Sequence, residues 1–446
     1  MFPNPQDVLP LPPHPSIEQY RKLAKDLVKA HRSGEPQAIG AWADHWVQSL
    51  ASTRGRTSAS RVEREMDRMA GQVEDFATRT LAGRESGGLA SAQFIIARAH
   101  GFESWPRFAA HLDRLAHGGS DVAMFEAAVD AIVDGDEATL RHLLATHSGL
   151  IRARSTREHQ ATLLHHVSAN GVENYRQRTP QNIVAIARLL LDAGAELEAV
   201  AEVYGGGSTT LGLVATSAHP RIAGLQLALI ELLLERGART EQRGIAGRDH
   251  GIVFACLANG CPEAAQYLAD RVEPLSIVET AGVGRLEGVK AFFDSKGVPK
   301  AGLTTEEIHT AFRYACFYGR DDVVEYLIGR GVDLAGHSGD GQTGLHYAGM
   351  GASLGAVRIL LRHGAPLEAL NEYGGTVLGQ TLWSAAHDRK PDRFGPVLET
   401  LIAAGARLGP RHPPVSPDID ALLARHGSVA DESLSWQGEK GRGARG

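Results

Sequence analysis

One phrase recurs along the chain and limits what it can fold into. It reads Leu190-Leu191-Asp-Ala-Gly194-Ala195, Leu233-Leu234-Glu-Arg-Gly237-Ala238, Leu327-Ile328-Gly-Arg-Gly331-Val332, Leu360-Leu361-Arg-His-Gly364-Ala365 and Leu401-Ile402-Ala-Ala-Gly405-Ala406. Two apolar residues close a packed helix, and a glycine then takes the left-handed conformation that ends it. The glycines are 43, 94, 33 and 41 residues apart. A further copy, Phe293-Asp-Ser-Lys-Gly297-Val298, divides the long interval into 60 and 34, and a degenerate copy lies at Tyr267-Leu268-Ala-Asp-Arg-Val272. A fixed period of this size means stacked units, each unable to bury its apolar face alone.

A second signature lies upstream of the terminators. Thr343-Gly-Leu345-His346-Tyr-Ala348 and Thr162-Leu-Leu164-His165-His-Val167 pair a threonine suited to capping a helix with small residues that let helices approach. With the glycine terminator and a period of 33 or 34, this pattern resembles the ankyrin repeat family over roughly Val122 to Gly409. The resemblance implies an all-α solenoid of stacked helical hairpins, with strand limited to hairpin tips. Eight units are expected, with first helices near Glu126, Thr162, Thr209, Gly251, Leu275, Thr310, Thr343 and Thr376. Units one, four and five lack the opening motif, and unit five is too short to keep its hairpin loop.

Units six and seven have 21 residues from opening threonine to closing glycine, whereas units two, three and eight have 32, 28 and 29. The excess falls between the two helices, around Asn174-Tyr175-Arg176, His219-Pro220-Arg221 and His387-Asp-Arg389-Lys390-Pro391. Insertions at equivalent positions of stacked repeats are expected to project from one edge. Units three and eight also share an opening, Tyr204-Gly205-Gly206-Gly207 and Tyr373-Gly374-Gly375, and a later Ala-His ending at His219 and His387. Two readings fit: a duplicated binding loop, or a hairpin turn that uses Tyr-Gly-Gly for its geometry.

Residues 1–120 show no repeat and read as a helical module. Ser16-Ile17-Glu18-Gln19 is a capping box ahead of Tyr20, Leu23, Ala24, Leu27 and Val28 at helical spacing. Val62 to Leu81, Leu89 to His100 and Ser104 to Ala116 read as further helices, and 51–60 as a mobile loop. Ala97-Arg98-Ala-His-Gly101-Phe102-Glu-Ser104-Trp105-Pro106 resembles the helical segment that precedes ankyrin repeats in some bacterial proteins, which implies no activity. Residues 121–409 are the expected array. The tail, 410–446, has Pro-rich and Gly/Arg-rich ends around a short helix near Asp418 to Arg425, and is expected to be loosely ordered.

Composition narrows the function. The 446 residues carry a net charge of −6, with +2 in 1–120 and −8 beyond, so no basic field exists to hold nucleic acid. Three cysteines cannot form a disulfide framework, and the N-terminus lacks the basic-then-apolar order of a secretion signal. The longest apolar stretch, Leu225 to Leu234, is too short to span a bilayer. Gly205-Gly206-Gly207 is not followed by Lys-Ser/Thr, and there is no H-E-x-x-H, paired C-x-x-C or G-x-S-x-G. The twenty histidines are scattered, and adjacent His165 and His166 point apart on a helix. No catalytic, cofactor or metal residue is therefore assigned, and the chain reads as a cytoplasmic monomer that binds neither membrane nor nucleic acid.

In the ankyrin family, the two residues before the inter-helix glycine end the first helix and face the concave groove. Here they are small in units two to four, at Ala169-Asn170, Thr216-Ser217 and Ala258-Asn259. They become Phe317-Tyr318, Met350-Gly351 and Trp383-Ser384 in units six to eight. The resemblance thus implies a protein-binding scaffold whose partner, another protein, meets Phe317, Tyr318, Met350 and Trp383, together with Tyr204, Tyr373, His219 and His387. The rival for this stripe is burial under the loop after Trp383 or under the tail. Two other functions share the sequence: a regulatory or immunity-type inhibitor of one enzyme, or an enzyme whose chemistry sits in 1–120.

Overall fold

The computed structural model describes residues 3–4, 6–51, 59–83, 88–240, 251–434 and 436. Apart from its helical ends, the loop expected to be mobile near 51–60 lies outside the described residues. The chain divides into two compact units, 1–264 and 265–446, and passes between them within the helix Pro262–Ala269.

The first unit opens with five helices, Ile17–Ser33, Ala38–Ala51, Ala59–Ala82, Leu89–Ala99 and Trp105–Ala116. The Ser16–Gln19 capping box starts the first, and Gly34, at φ 68°, closes it in the left-handed region. Tyr20, Leu27, Trp46, Val73, Ile95, Phe102 and Phe108 form their shared core. The buried His100 ring stacks on Phe108 with centroids 5.2 Å apart, and its Nδ1 lies 2.9 Å from the Leu9 carbonyl. Helix Ala38–Ala51 was not among the expected elements; it supplies Trp42, Ala43, Trp46, Val47 and Leu50 to this core. Helix Trp105–Ala116 packs on Asp121–Asp134, the first helix of the repeats.

Repeats then follow as paired helices. Asp121–Asp134, Leu163–Ser168, Thr210–Ala215 and Ile252–Ala258 lie side by side, with Glu137–Thr146, Ile183–Asp192 and Gln226–Glu235 as second helices behind the first three. In the second unit, Ile277–Gly282, Thr305–Phe317, Gly344–Met350 and Val377–His387 form one layer. Leu286–Lys290, Asp321–Gly329, Leu354–Arg362 and Gly395–Ala403 form the other. Strand among the described residues is confined to two-residue pairs and single bridges, such as Val200–Ala201 with Ser208–Thr209 and His337 with Thr343. The antiparallel ones are the hairpin tips.

The recurring phrase is one helix-ending motif used five times. The Gly364 N–H donates to the Leu361 carbonyl at 3.1 Å and the Ala365 N–H to Leu360 at 3.0 Å, the paired bonds of a Schellman motif. The same two bonds recur at Gly194-Ala195, Gly237-Ala238, Gly331-Val332 and Gly405-Ala406, with the glycines between φ 80° and 98°. Leu190, Leu233, Leu327, Leu360 and Leu401 are fully buried. Burying a leucine contributes about 1.5–3 kcal/mol, so the phrase both stops the helix and fastens it.

The threonine–histidine signature joins neighbours. His346 Nδ1 accepts from the Thr343 N–H at 3.2 Å, so the hydrogen sits on Nε2, which reaches the Gly375 carbonyl of the next repeat at 3.4 Å. His165 does the same between Thr162 at 3.1 Å and Ala199 at 3.0 Å.

The insertion around Asn174-Tyr175-Arg176 does not project. Glu173 and Arg176 are buried, because the segment turns inward onto carboxylates of helix Asp121–Asp134. The tail was read as loosely ordered, yet its described part, 410–434, has defined structure. Helix Pro417–Arg425 is capped by Ser416 and lays Ile419, Leu422 and Leu423 against Pro391–Phe394 and Gly395–Ala403. Arg411–His412 and Val429–Ala430 pair in parallel beside it.

Candidate protein-binding surface

Three adjacent first helices of the second unit create a row of rings. The Thr304–Glu307 capping box begins Thr305–Phe317 early, which sets Phe312, Ala315 and Cys316 into the core. Tyr314, Phe317 and Tyr318 are left half-buried on the other face. Tyr347 and Met350 repeat this placement on Gly344–Met350, and Trp383 and His387 follow on Val377–His387. The helices are close because Gly349 meets Thr381, where a Cβ would lie 2.2 Å from the threonine oxygen.

Four rings touch in a closed circuit. Tyr314 stacks on Tyr318 at 6.5 Å, Tyr318 meets Phe317 at 4.9 Å, Phe317 meets Tyr347 at 6.4 Å, and Tyr347 returns to Tyr314 at 6.3 Å. Farther along, Trp383 is 44% exposed and stacks on His387 at 4.2 Å. The loop after Trp383 leaves it uncovered: Phe394 turns into the core, and Arg393 ties the loop to the Gly351 carbonyl at 2.9 Å and to Asp388 at 2.8 Å. Burial pushes the Tyr314 phenol up to about 12, so it stays a hydrogen-bond donor across the physiological range.

Residues 277–371, which hold the helices bearing Tyr314, Phe317, Tyr318, Tyr347 and Met350, match the family model for ankyrin repeats, three copies. These residues are ankyrin repeats. A comparison with curated proteins finds none that matches.

Six of the eight residues singled out from the sequence belong to the second unit. Phe317 with Tyr318, and Trp383 with His387, are in ring contact. Tyr373, on the hairpin tip closed by the Leu370–Thr376 bridge, is 75% exposed. The other two lie in the first unit, where His219 is half-buried and the Tyr204 hydroxyl donates to Asn170 at 2.6 Å and also meets the Gln6 amide. Tyr314 and Tyr347 were missed. Their signal was present: each stands three residues before a residue already chosen, Phe317 or Met350, and so shares its helix face.

The first unit holds a different feature, a buried cluster of charge. Arg157 Nη1 lies 2.8 Å from Glu126 and its Nε 3.0 Å from Glu173, while Arg176 reaches Glu126 at 2.7 Å and Asp130 at 2.8 Å. His159 Nε2 is 3.3 Å from Glu173. Burial alone would raise the Glu126 carboxyl, but the Arg157 and Arg176 guanidiniums outweigh it and hold it at about 2. Beside Arg157 a cavity of about 180 Å³ is lined by Glu103, Arg107, Thr156 and Glu158 among others. Small-molecule sites usually have about 300–1,000 Å³, so this one suits ordered water better than a substrate. Among the described residues, no group of three His, Cys, Asp or Glu could hold a metal ion.

The cluster joins the helical module to the repeats. Phe102 lies under the Arg157 guanidinium at 5.7 Å, the Glu158 N–H donates to the Gly101 carbonyl at 2.9 Å, and Arg98 pairs with Glu158 at 2.6 Å. The Gly101-Phe102 motif is thus a docking turn for the first hairpin tip.

Proposed function

We propose that the second unit binds a partner protein through Phe317, Tyr318, Met350 and Trp383, extended by Tyr314 and Tyr347 and flanked by Tyr373 and His387. Ankyrin repeats are in general protein–protein interaction modules. The observation that carries the proposal is the row of part-exposed rings borne by three successive first helices, four of them in mutual contact. Scattered exposed apolar residues are ordinary, whereas a clustered set of Tyr, Trp and Met is what interface hot spots use. Tyr204 contributes less, because its hydroxyl is already engaged by Asn170 and Gln6. The reading extends to a cytoplasmic monomer working without a cofactor, in keeping with the burial of its three cysteines, Cys256, Cys261 and Cys316.

The full chain used as bait, with quantitative mass spectrometry, identifies a partner whose capture is compared for wild type, Phe317→Ala and Trp383→Ala. Each substitution is expected to weaken binding by about 2 kcal/mol or more while leaving the melting temperature nearly unchanged. Retained binding with a lowered melting temperature would show that these rings serve the fold.

A further inference from the structure

We propose that the partner presents a cationic side chain, arginine or lysine, to the Tyr347–Tyr373 end of this surface. The inference rests on the protein-binding reading and gives the chemistry of what binds. Two neighbouring hairpin tips form this end, held side by side by the Glu372 N–H donating to the Asp340 carbonyl at 3.1 Å. Each tip carries a carboxylate beside an aromatic ring. The Asp340 carboxylate accepts from the Ser338 hydroxyl, and neither it nor Glu372 forms an ion pair among the described residues. Tyr373 and Leu370, 75% and 61% exposed, stand next to them in the chain. A hydrogen bond to the Glu372 carboxylate and that group's charge push the Tyr373 phenol up, with Asp340 adding to them, and burial followed by the Asp340 charge does the same for Tyr347.

Two cations of this region are already engaged within the chain. Arg313 is buried and bound to Glu306 at 2.6 Å and to the Thr310 hydroxyl at 2.8 Å. Arg320 donates to the Gly282 carbonyl at 2.9 Å and lies over the Tyr318 ring at 6.0 Å. From 301 to 350 the chain has seven carboxylates and three guanidiniums. A cation over an aromatic face gains from the ring quadrupole, and an adjacent unpaired carboxylate adds direct attraction. Arg320 on Tyr318 shows the same contact made within the chain. A neutral or acidic side chain would leave both carboxylates without a counter-charge, which is how such an edge discriminates.

The test selects binders from a display library of short random peptides on the full chain, then measures the best by fluorescence anisotropy. Peptides carrying Arg or Lys beside apolar residues are expected. Asp340→Asn with Glu372→Gln should lower affinity about tenfold, as should replacing the peptide arginine by neutral citrulline, which leaves the protein untouched. The two changes combined should cost less than their product. Peptides that depend on Phe317 and Trp383 yet are indifferent to both charge changes would overturn this inference and leave the protein-binding reading standing. If no selected peptide depends on Phe317 or Trp383, both fall.

Discussion

The Arg157 guanidinium meets the Glu126 carboxylate at 2.8 Å with both side chains nearly sealed from water, 3% and 9% exposed. The partners come from different layers of the sequence: Glu126 from the first repeat helix, Arg157 from a hairpin tip, and Glu173 and Arg176 from an insertion. The balance of two guanidiniums and two buried carboxylates lets the cluster exist at all.

Removing one member should therefore be severe. Arg157→Met leaves Glu126 and Glu173 with less compensation, and breaking a buried pair in this way costs about 3–5 kcal/mol. Denaturant unfolding should show that loss, whereas Arg178→Met, which breaks the exposed pair with Asp134, should cost about 1 kcal/mol or less.

Acid should destabilise the first unit early. Burial, the largest cause in each case, lowers His100 and His166 to about 3 and His111 and His165 to about 4. These folded values lie below the unfolded value near 6.5, so between them only the unfolded chain takes up the proton. Stability is complete above about pH 6.5 and falls below it, by up to about 1.4 kcal/mol per pH unit for each histidine. His166→Phe should flatten the dependence of unfolding free energy on pH between 6 and 4; an unchanged slope would contradict this assignment.

The helix-ending glycines give a local test. Gly364 has φ 77° with open space around a built Cβ, so Gly364→Ala adds no clash and only forces an L residue into the left-handed region. A loss of about 1–2 kcal/mol is expected in melting experiments, and Gly364→Asn should recover part of it.

The histidine peg gives another. His346→Ala removes the acceptor for the Thr343 N–H and the contact to Gly375, leaving a buried donor unsatisfied at a cost of about 1–3 kcal/mol. Hydrogen exchange should show the Gly375 tip opening more often; unchanged protection there would argue against the peg.

What could be read from the sequence was what the chain settles locally. Leu360-Leu361-x-x-Gly364-Ala365 specifies its own hydrogen bonds, so helix ends and repeat period were legible. Thr343 and His346 are three residues apart and equally local. Glu173 and Arg176 were not legible, because Glu126 and Asp130 reach them only after the chain has folded back over some forty-five residues. Helix Ala38–Ala51 was overlooked although Trp42, Trp46 and Leu50 stand at spacings of four; it lacks the capping signal that marked its neighbours. Phe317, Met350 and Trp383 were found from their place before the inter-helix turn. Tyr314 and Tyr347 sit one turn earlier on the same faces and needed the helical period applied backwards.

Helix Pro417–Arg425 has a consequence for how molecules of this kind meet one another. A run of like units has no intrinsic terminus, since the surface that accepts one more repeat is the same at every step. Left bare, the Phe394 and Leu398 side would be adhesive, and copies could join end to end into filaments, as heterologous contacts that do not close tend to do. Ile419, Leu422 and Leu423 occupy that side with a helix whose outer face bears Asp418, Arg425 and His426. The segment after these repeats thus takes the place that one more repeat would occupy and turns a polar face outward.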